Sequence, residues 1–177
     1  MKDRAETFVS GEDVFRGKLL HVRRDVVRLP DGSRGAREYI RHPGAVLILA
    51  LFDDGRVLLE RQFRYPSLQD FIELPAGKCE KGEDRLETAR RELREETGYS
   101  AASWERIGVI HPCIGYSDET IEMYVARGLT AGESSLDAGE FLEVFSLPLA
   151  DAVAMVKDGR ITDAKTVSGL LWAKAFL

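Results

Sequence analysis

The residues best suited to chemistry in this chain lie in one short acidic stretch. Glutamates recur there at spacings of three, four and more residues, and the set is Glu83, Glu92, Glu95 and Glu96. A helix turns about 100° per residue, so side chains three or four positions apart share a face. We therefore predict a helix that starts after Asp84, ends before Gly98 and presents three carboxylates together.

Carboxylates crowded on one helical face repel one another, by about a few tenths of a kcal/mol for each pair four residues apart. Folding does not require such an arrangement, whereas a hard divalent cation does. Mg²⁺ takes oxygen ligands and commonly bridges carboxylates to substrate phosphates. The competing interpretation is an ordinary solvated face of a surface helix, which binds no metal.

An apolar stripe on the same helix predicts how it packs. Leu86, Ala89 and Leu93 recur at helical spacing and are expected to face a core. Glu96 is expected to be exposed on the acidic face, away from this stripe.

Composition narrows the class of protein. The chain has 177 residues, 44% of them hydrophobic, which suits one principal domain with a real core. A net charge of −5 argues against a general nucleic-acid binder. Two cysteines do not suggest a disulfide framework, so a reducing, cytoplasmic compartment is expected. The longest apolar run, 45–52, is too short to span a membrane.

The order of predicted elements indicates an α/β fold. Residues 1–42 form a β-rich segment with few large apolar side chains, and 43–177 form the main domain. The apolar run 45–52 is typical of a strand buried on both faces. A turn at 53–56 is expected to make a hairpin with the strand that follows. The region 129–139 is expected to be a flexible loop, and a closing helix should begin at Thr162 or Asp163.

The acidic stretch also resembles a known family signature. Its fixed positions are a glycine, a glutamate, an Arg-Glu pair, an apolar residue, two further glutamates, a glycine and a final apolar residue. They are filled here by Gly77, Glu83, Arg91, Glu92, Leu93, Glu95, Glu96, Gly98 and Tyr99. This is the pattern of the Nudix hydrolases. The resemblance implies an α/β/α sandwich with a mixed sheet. It also implies hydrolysis of a nucleoside diphosphate linked to another group, with Mg²⁺ or Mn²⁺ as cofactor.

The resemblance further implies roles for individual residues. The metal ligands would be Glu92, Glu96, often Glu95, and the carbonyl oxygen of Ala76. Arg91 would orient a glutamate by ion pairing, with Glu83 as its partner. The family places one more glutamate in the later loop, as metal ligand or as general base, and Glu140 aligns best with it. Three alternatives stay open: Glu140 has this role alone, Asp137 shares it, or Glu95 on the helix is the general base.

Two flanking stretches resemble the ADP-ribose and sugar-nucleotide branch of that family. They are Gln62-Phe63-Arg64 and Glu73-Leu74-Pro75-Ala76-Gly77. The candidate substrate contacts are Arg37, Arg64, Glu73 and Glu119, with Glu73 directed either at the nucleobase or at a neighbouring residue. The proline that marks ADP-ribose preference would stand at position 114, where this chain has Ile114.

The predicted function is metal-dependent cleavage of ADP-ribose to AMP and ribose 5-phosphate. The alternatives are a GDP-mannose or other nucleotide-sugar pyrophosphatase, and a Nudix-fold sensor that binds a nucleotide without cleaving it. The retained glutamates favour turnover over sensing. In the ADP-ribose branch a similar N-terminal segment crosses to a second subunit, so a homodimer is expected, with a sheet folded on its own domain as the alternative.

Overall fold

The computed structural model describes residues 4–136 and 138–177. It divides the chain into two compact units. The first unit runs to Pro43 and includes Cys113–Thr120, and the second comprises Gly44–Pro112 and Ile121–Leu177. In the described ranges no helix is long and apolar enough to cross a membrane.

The first unit is built on an antiparallel sheet of three strands. These strands are β1 (Thr7–Arg16), β2 (His21–Arg28) and β3 (Arg34–Ile40), in that order across the sheet. A tight turn joins the last two strands, with the Gly32 amide donating to the Leu29 carbonyl at 2.9 Å. The segment Cys113–Thr120 is held against the end of β3, because the Ile40 amide donates to the Tyr116 carbonyl at 2.8 Å.

The second unit contains two sheets. The larger is mixed and has the order β7 (Ala76–Lys78), β4 (Ala45–Ala50), β9 (Ile121–Ala131) and β8 (Tyr99–Ile110), with only β4 and β9 parallel. The smaller is antiparallel and has the order β10 (Leu142–Pro148), β5 (Arg56–Arg64) and β6 (Gln69–Glu73). A short 3₁₀ helix, Tyr65–Ser67, joins β5 to β6.

Three helices cover the mixed sheet on its two faces. They are α1 (Arg85–Thr97), α2 (Leu149–Lys157) and α3 (Ala164–Phe176). Strand β4 is buried on both sides, as its apolar run predicts. Ile48 belongs to the apolar cluster of α1, and its neighbour Leu49 belongs to the cluster of α2 and α3. The predicted α/β/α sandwich with a mixed sheet is therefore confirmed.

The sequence determines both ends of α1. The Asp84 side chain accepts hydrogen bonds from the amides of Leu86 and Glu87, and so caps the first turn. Gly98 ends the helix with φ of 76°, a left-handed conformation that glycine adopts without strain. The predicted helix boundaries are confirmed, and Asp163 is the N-cap of α3.

Two other predictions about the elements hold only in part. The turn at 53–56 is present, with the Phe52 amide donating to the Arg56 carbonyl at 2.9 Å and an antiparallel bridge between Leu51 and Val57. The pairing ends there, and β4 and β5 continue in different sheets. The reason is that β5 is itself buried over Val57–Glu60 and pairs with β6 and β10 on its two edges. The predicted loop at 129–139 starts later than expected, because β9 continues to Ala131.

Candidate active site

Arg91 lies at the centre of the acidic face of α1. Its guanidinium donates to both carboxylate oxygens of Glu83, at 2.9 and 3.0 Å, so the predicted ion pair is present. The same group donates to Glu92 at 2.9 Å and to Glu95 at 3.0 Å. Its hydrogen bonds lower the pKa of Glu83 to about 2. One arginine therefore faces three carboxylates, and the face keeps a surplus of negative charge.

Glu96 does not lie where the sequence placed it. The prediction of an exposed side chain is wrong, because Glu96 is only 7% exposed. It follows Leu93 by three residues and so continues the buried stripe of the helix. The Ala76 amide donates to Glu96 Oε2 at 3.1 Å. Burial, followed by repulsion from Glu60 and Glu92, raises the pKa of Glu96 to about 10.

Gly77 allows Glu92 to approach the β7 backbone closely. A Cβ atom at position 77 would lie 1.8 Å from Glu92 Cδ, so any other residue there would force the Glu92 side chain to move. Glu92 is partly buried, and this burial raises its pKa despite the neighbouring Arg91. The glycine of the sequence signature is therefore needed here because it makes room for a carboxylate.

Glu60 is a member of the acidic cluster that sequence reasoning missed. It lies on β5, is 1% exposed, and its Oε2 has no hydrogen-bond partner among the residues that the structure describes. Burial and the charge of Glu73 raise the pKa of Glu60 to about 8. A signal was present in the sequence, since this glutamate directly continues the apolar run Val57–Leu59 of a strand.

Arg64 and Glu73 contact each other. The guanidinium donates to both carboxylate oxygens, at 2.6 and 2.7 Å, and Glu73 is 2% exposed. Of the two roles left open for Glu73, the structure shows contact with a neighbouring residue. Burial favours the neutral acid, but the hydrogen bonds from Arg64 and the charge of Lys165 hold the pKa of Glu73 below its ordinary value.

Lys165 is a second residue that sequence reasoning missed. Its Nζ forms ion pairs with Glu73 and with Asp163, the N-cap of α3. A lysine in the first turn of a helix is disfavoured by the helix dipole, and that position was the available signal.

The remaining predicted site residues lie in two places. Arg37 and Glu119 belong to the first unit, where Arg37 Nε donates to Glu6 at 2.9 Å and Glu119 lies 3.7 Å from His42 Nδ1. Glu140 belongs to the second unit, and its charge contributes to the raised pKa values of Glu92 and Glu96. Asp137 lies outside the described residues.

The donor set fits a hard divalent cation. No three histidine, cysteine, aspartate or glutamate side chains within 4–136 and 138–177 are already arranged around one cation position. The candidate donors are nevertheless all oxygens, as Mg²⁺ and Mn²⁺ prefer. Glu60, Glu92 and Glu96 are buried or partly buried carboxylates, and the pKa of each is raised by burial and by repulsion from other carboxylates. A bound cation would remove that repulsion.

We expect the metal-free protein to lose thermal stability as the pH rises from about 5 to 9. The folded-state pKa values of Glu60 and Glu96 are raised to about 8 and about 10, from an ordinary value of 4.5. Between these limits the folded chain binds more protons than the unfolded chain, so the free energy of unfolding falls with rising pH. Tm should therefore fall across this range, by about 2–4 °C for each 1 kcal/mol lost from the free energy of unfolding at this size.

Differential scanning fluorimetry in EDTA, repeated in saturating Mg²⁺, measures this effect. The cation should reduce the loss, because it binds the deprotonated carboxylates of the folded state. A Tm that stays level from pH 5 to 9 in EDTA would contradict the raised pKa values.

Comparison with known proteins agrees with the fold and identifies the family. Residues 41–170 match the NUDIX domain, and residues 6–40 match the nucleoside diphosphate sugar hydrolase N-terminal domain. The chain therefore belongs to the NUDIX family. It is a hydrolase of nucleoside diphosphate derivatives, and hydrolases of this family generally require a divalent metal ion.

Individual relatives cover nearly the whole chain. An ADP-ribose pyrophosphatase from Bacillus subtilis (strain 168) is 40% identical over 168 residues, which is 94% of this chain and 91% of that protein. A methanol dehydrogenase activator from Bacillus methanolicus is 40% identical over 164 residues, covering 92% and 89%. A solved ADP compounds hydrolase superimposes with a TM-score of 0.87 at 25% identity, over 97% of this chain and 94% of that chain.

Proposed function

We propose that this chain hydrolyses ADP-ribose to AMP and ribose 5-phosphate with Mg²⁺ as cofactor. The observation that supports metal-dependent hydrolysis is a group of carboxylates where α1 contacts the Ala76–Gly77 backbone. Their negative charge is only partly neutralised by neighbouring side chains. The proposed substrate is inferred from the similarity of this chain, over most of both sequences, to a protein named ADP-ribose pyrophosphatase.

In this proposal the cation is held by Glu92, Glu96 and the carbonyl oxygen of Ala76, with Glu95 and Glu140 as further oxygen donors. The bound cation supplies positive charge that neutralises the pyrophosphate and polarises a phosphoryl oxygen. Arg91 keeps Glu92 and Glu95 in place through its two contacts at 2.9 and 3.0 Å. The Ala76 amide fixes one oxygen of Glu96 and leaves the other for coordination.

Glu95 is the helix carboxylate best placed to take a proton from the attacking water. Its side chain is 33% exposed, more than those of Glu83 and Glu92, and Arg91 contacts its Oε2. A general base must be both oriented and reachable by water, and Glu95 satisfies both conditions. Glu140 is the competing base, and replacing each residue singly with glutamine distinguishes the two by the loss of kcat.

Arg64 is proposed to bind a phosphate of the substrate. Glu73 takes up its Nε and one terminal nitrogen, which fixes the plane of the guanidinium. The other terminal nitrogen keeps two N–H donors for a phosphate oxygen. Lys165 contacts Glu73 Oε2, which also accepts from Arg64, so the three residues form one positioning chain. Arg37 and Glu119 stay candidate substrate contacts.

The test is product release with Mg²⁺ against ADP-ribose, GDP-mannose, UDP-glucose, NADH, diadenosine polyphosphates and 8-oxo-dGTP. We expect ADP-ribose to have the highest kcat/KM, with AMP and ribose 5-phosphate as the products. GDP-mannose is the second candidate substrate, because Ile114 replaces the marker proline and is 84% exposed. If the protein binds a member of the panel but cleaves none, it is a sensor and the proposal is wrong.

We further propose that the chain forms a homodimer through its N-terminal sheet. Large apolar side chains of the first unit are exposed there: Phe8, Val14, Phe15, Leu19 and Leu20. An exposed apolar surface of this kind marks an interface. Light scattering at micromolar concentration should give the mass of two chains, and Phe8→Ser with Phe15→Ser should shift it to one. A wild-type monomer would refute the dimer.

The proposed compartment is the reducing cytoplasm. Cys79 and Cys113 are both free thiols in the structure. Thiol titration of protein purified without reductant should therefore find two reactive groups after unfolding.

A further inference from the structure

Glu60 stands apart from the other glutamates of the site because it comes from a strand. It is the fifth residue of β5, in the middle of the small sheet, with Val144 of β10 beside it on one edge. Its side chain is almost completely buried, and its Oε2 has no hydrogen-bond donor among the described residues. A buried charged oxygen without a partner is costly, so this atom calls for a proton or a cation.

The basic residues nearby are already engaged. Glu73 lies directly opposite Glu60 on β6, and it accepts from both Arg64 and Lys165. Arg64 and Lys165 therefore affect Glu60 only through longer-range electrostatic attraction.

Glu60 and the carboxylates of the active site repel each other. Among the charged groups around Glu96, Glu60 has the strongest effect, ahead of Glu92. Glu140 also acts on both Glu60 and Glu96. Strand β5, helix α1 and the loop before β10 thus direct negative charge at a common region.

We propose that Glu60 is a further ligand of the divalent cation, contributed by the sheet opposite the helix glutamates. In this arrangement Oε2 gains its missing partner when the cation binds. The inference rests on the proposed function for the position of the cation at Glu92 and Glu96. It adds a ligand that the signature on α1 does not contain, since Glu60 precedes that signature by 17 residues at Gly77.

The competing role is a neutral acid buried in the core, which needs no cation. Glu60→Gln separates the two roles because it keeps the shape of the side chain and removes its charge. A ligand role predicts opposite changes: the metal-free Tm rises, because repulsion is lost, while the rise in Tm on adding Mn²⁺ becomes smaller. A neutral core acid predicts that the rise on adding Mn²⁺ is unchanged.

The experiment is a Mn²⁺ titration of the full chain, followed by the electron paramagnetic resonance signal of free Mn²⁺, with Tm measured in parallel. We expect Glu60→Gln to weaken Mn²⁺ binding by about tenfold or more. Glu143→Gln is the matched control, because Glu143 lies on β10 of the same sheet, is exposed and pairs with Arg61. Should Glu60→Gln not fold, Glu60→Leu replaces it, with an apolar side chain of similar size.

Binding of Mn²⁺ by Glu60→Gln within twofold of wild type would overturn the inference. If wild type also cleaves ADP-ribose, that result leaves the proposed function intact. If wild type binds Mn²⁺, Glu60→Gln weakens binding, and no ADP-ribose is cleaved, the ligand role holds and the proposed substrate is wrong. A wild type that binds no Mn²⁺ overturns both.

Discussion

Replacing Glu96 with glutamine should lower kcat/KM for the cleaved substrate by roughly 10³-fold or more, about 4 kcal/mol of barrier. The amide keeps the size of the side chain and can still accept from Ala76, so the position of α1 should hold. It cannot supply the negative charge that binds a cation. The metal-free protein should be at least as stable as wild type, because Glu96 is repelled by Glu60 and Glu92 in the folded state.

Steady-state kinetics in Mg²⁺ and thermal unfolding in EDTA test the two parts of this prediction. The matched control is Glu87→Gln on the same helix, because Glu87 is exposed and contacts Arg90 in the first turns. The control should retain wild-type rates. Near wild-type turnover by a folded Glu96→Gln protein would remove Glu96 from the metal site.

The largest loss of stability is expected from Glu73→Gln. Glu73 is buried and accepts from Arg64 and Lys165, so its loss leaves Arg64 without its carboxylate and Lys165 paired with Asp163 alone. Breaking a fully buried ion pair costs about 3–5 kcal/mol. Since the Arg64 side chain is 42% exposed and solvent screens its charge, we expect about 2–4 kcal/mol here. Chemical denaturation at pH 7 measures the change.

The same sheet offers a second arginine–glutamate pair as a control. Arg61 contacts Glu143 across β5 and β10 at 2.9 Å, with both side chains exposed. Glu143→Gln should cost no more than about 1 kcal/mol. Equal losses in the two variants would show that burial of Glu73 does not set its contribution. Glu73→Gln should also raise KM through the freed Arg64.

Local rules predicted the helix of the site well. Asp84, Gly98 and the stripe of Ala89 and Leu93 act within a few residues, so spacing alone determines where α1 begins, ends and packs. The Arg91–Glu83 ion pair also lies within one stretch of chain. The sequence carried this information because each interaction involves near neighbours.

Interactions between distant residues were not predicted. The partners Glu73 and Lys165 are 92 residues apart, and nothing in either neighbourhood identifies the other. The turn after β4 was compatible with a hairpin, but the burial of β5 on both faces required a second sheet. Glu96 was misplaced because its chemical type was given more weight than its helical position, three residues after Leu93.

The hydrogen bond between the Ser135 amide and the Glu95 carbonyl, 2.9 Å long, has a consequence for how the site is assembled. It joins the chain leaving β9 to the end of α1, and β10 starts at Leu142. Glu140 is therefore two residues from a strand, and its Cα can lie no more than about 7 Å from that of Leu142. While β10 stays paired, this span limits how far Glu140 can move. Amide hydrogen exchange at Ser135 should be slow and should change little when substrate binds, as expected for a site whose carboxylates are organised before the substrate arrives.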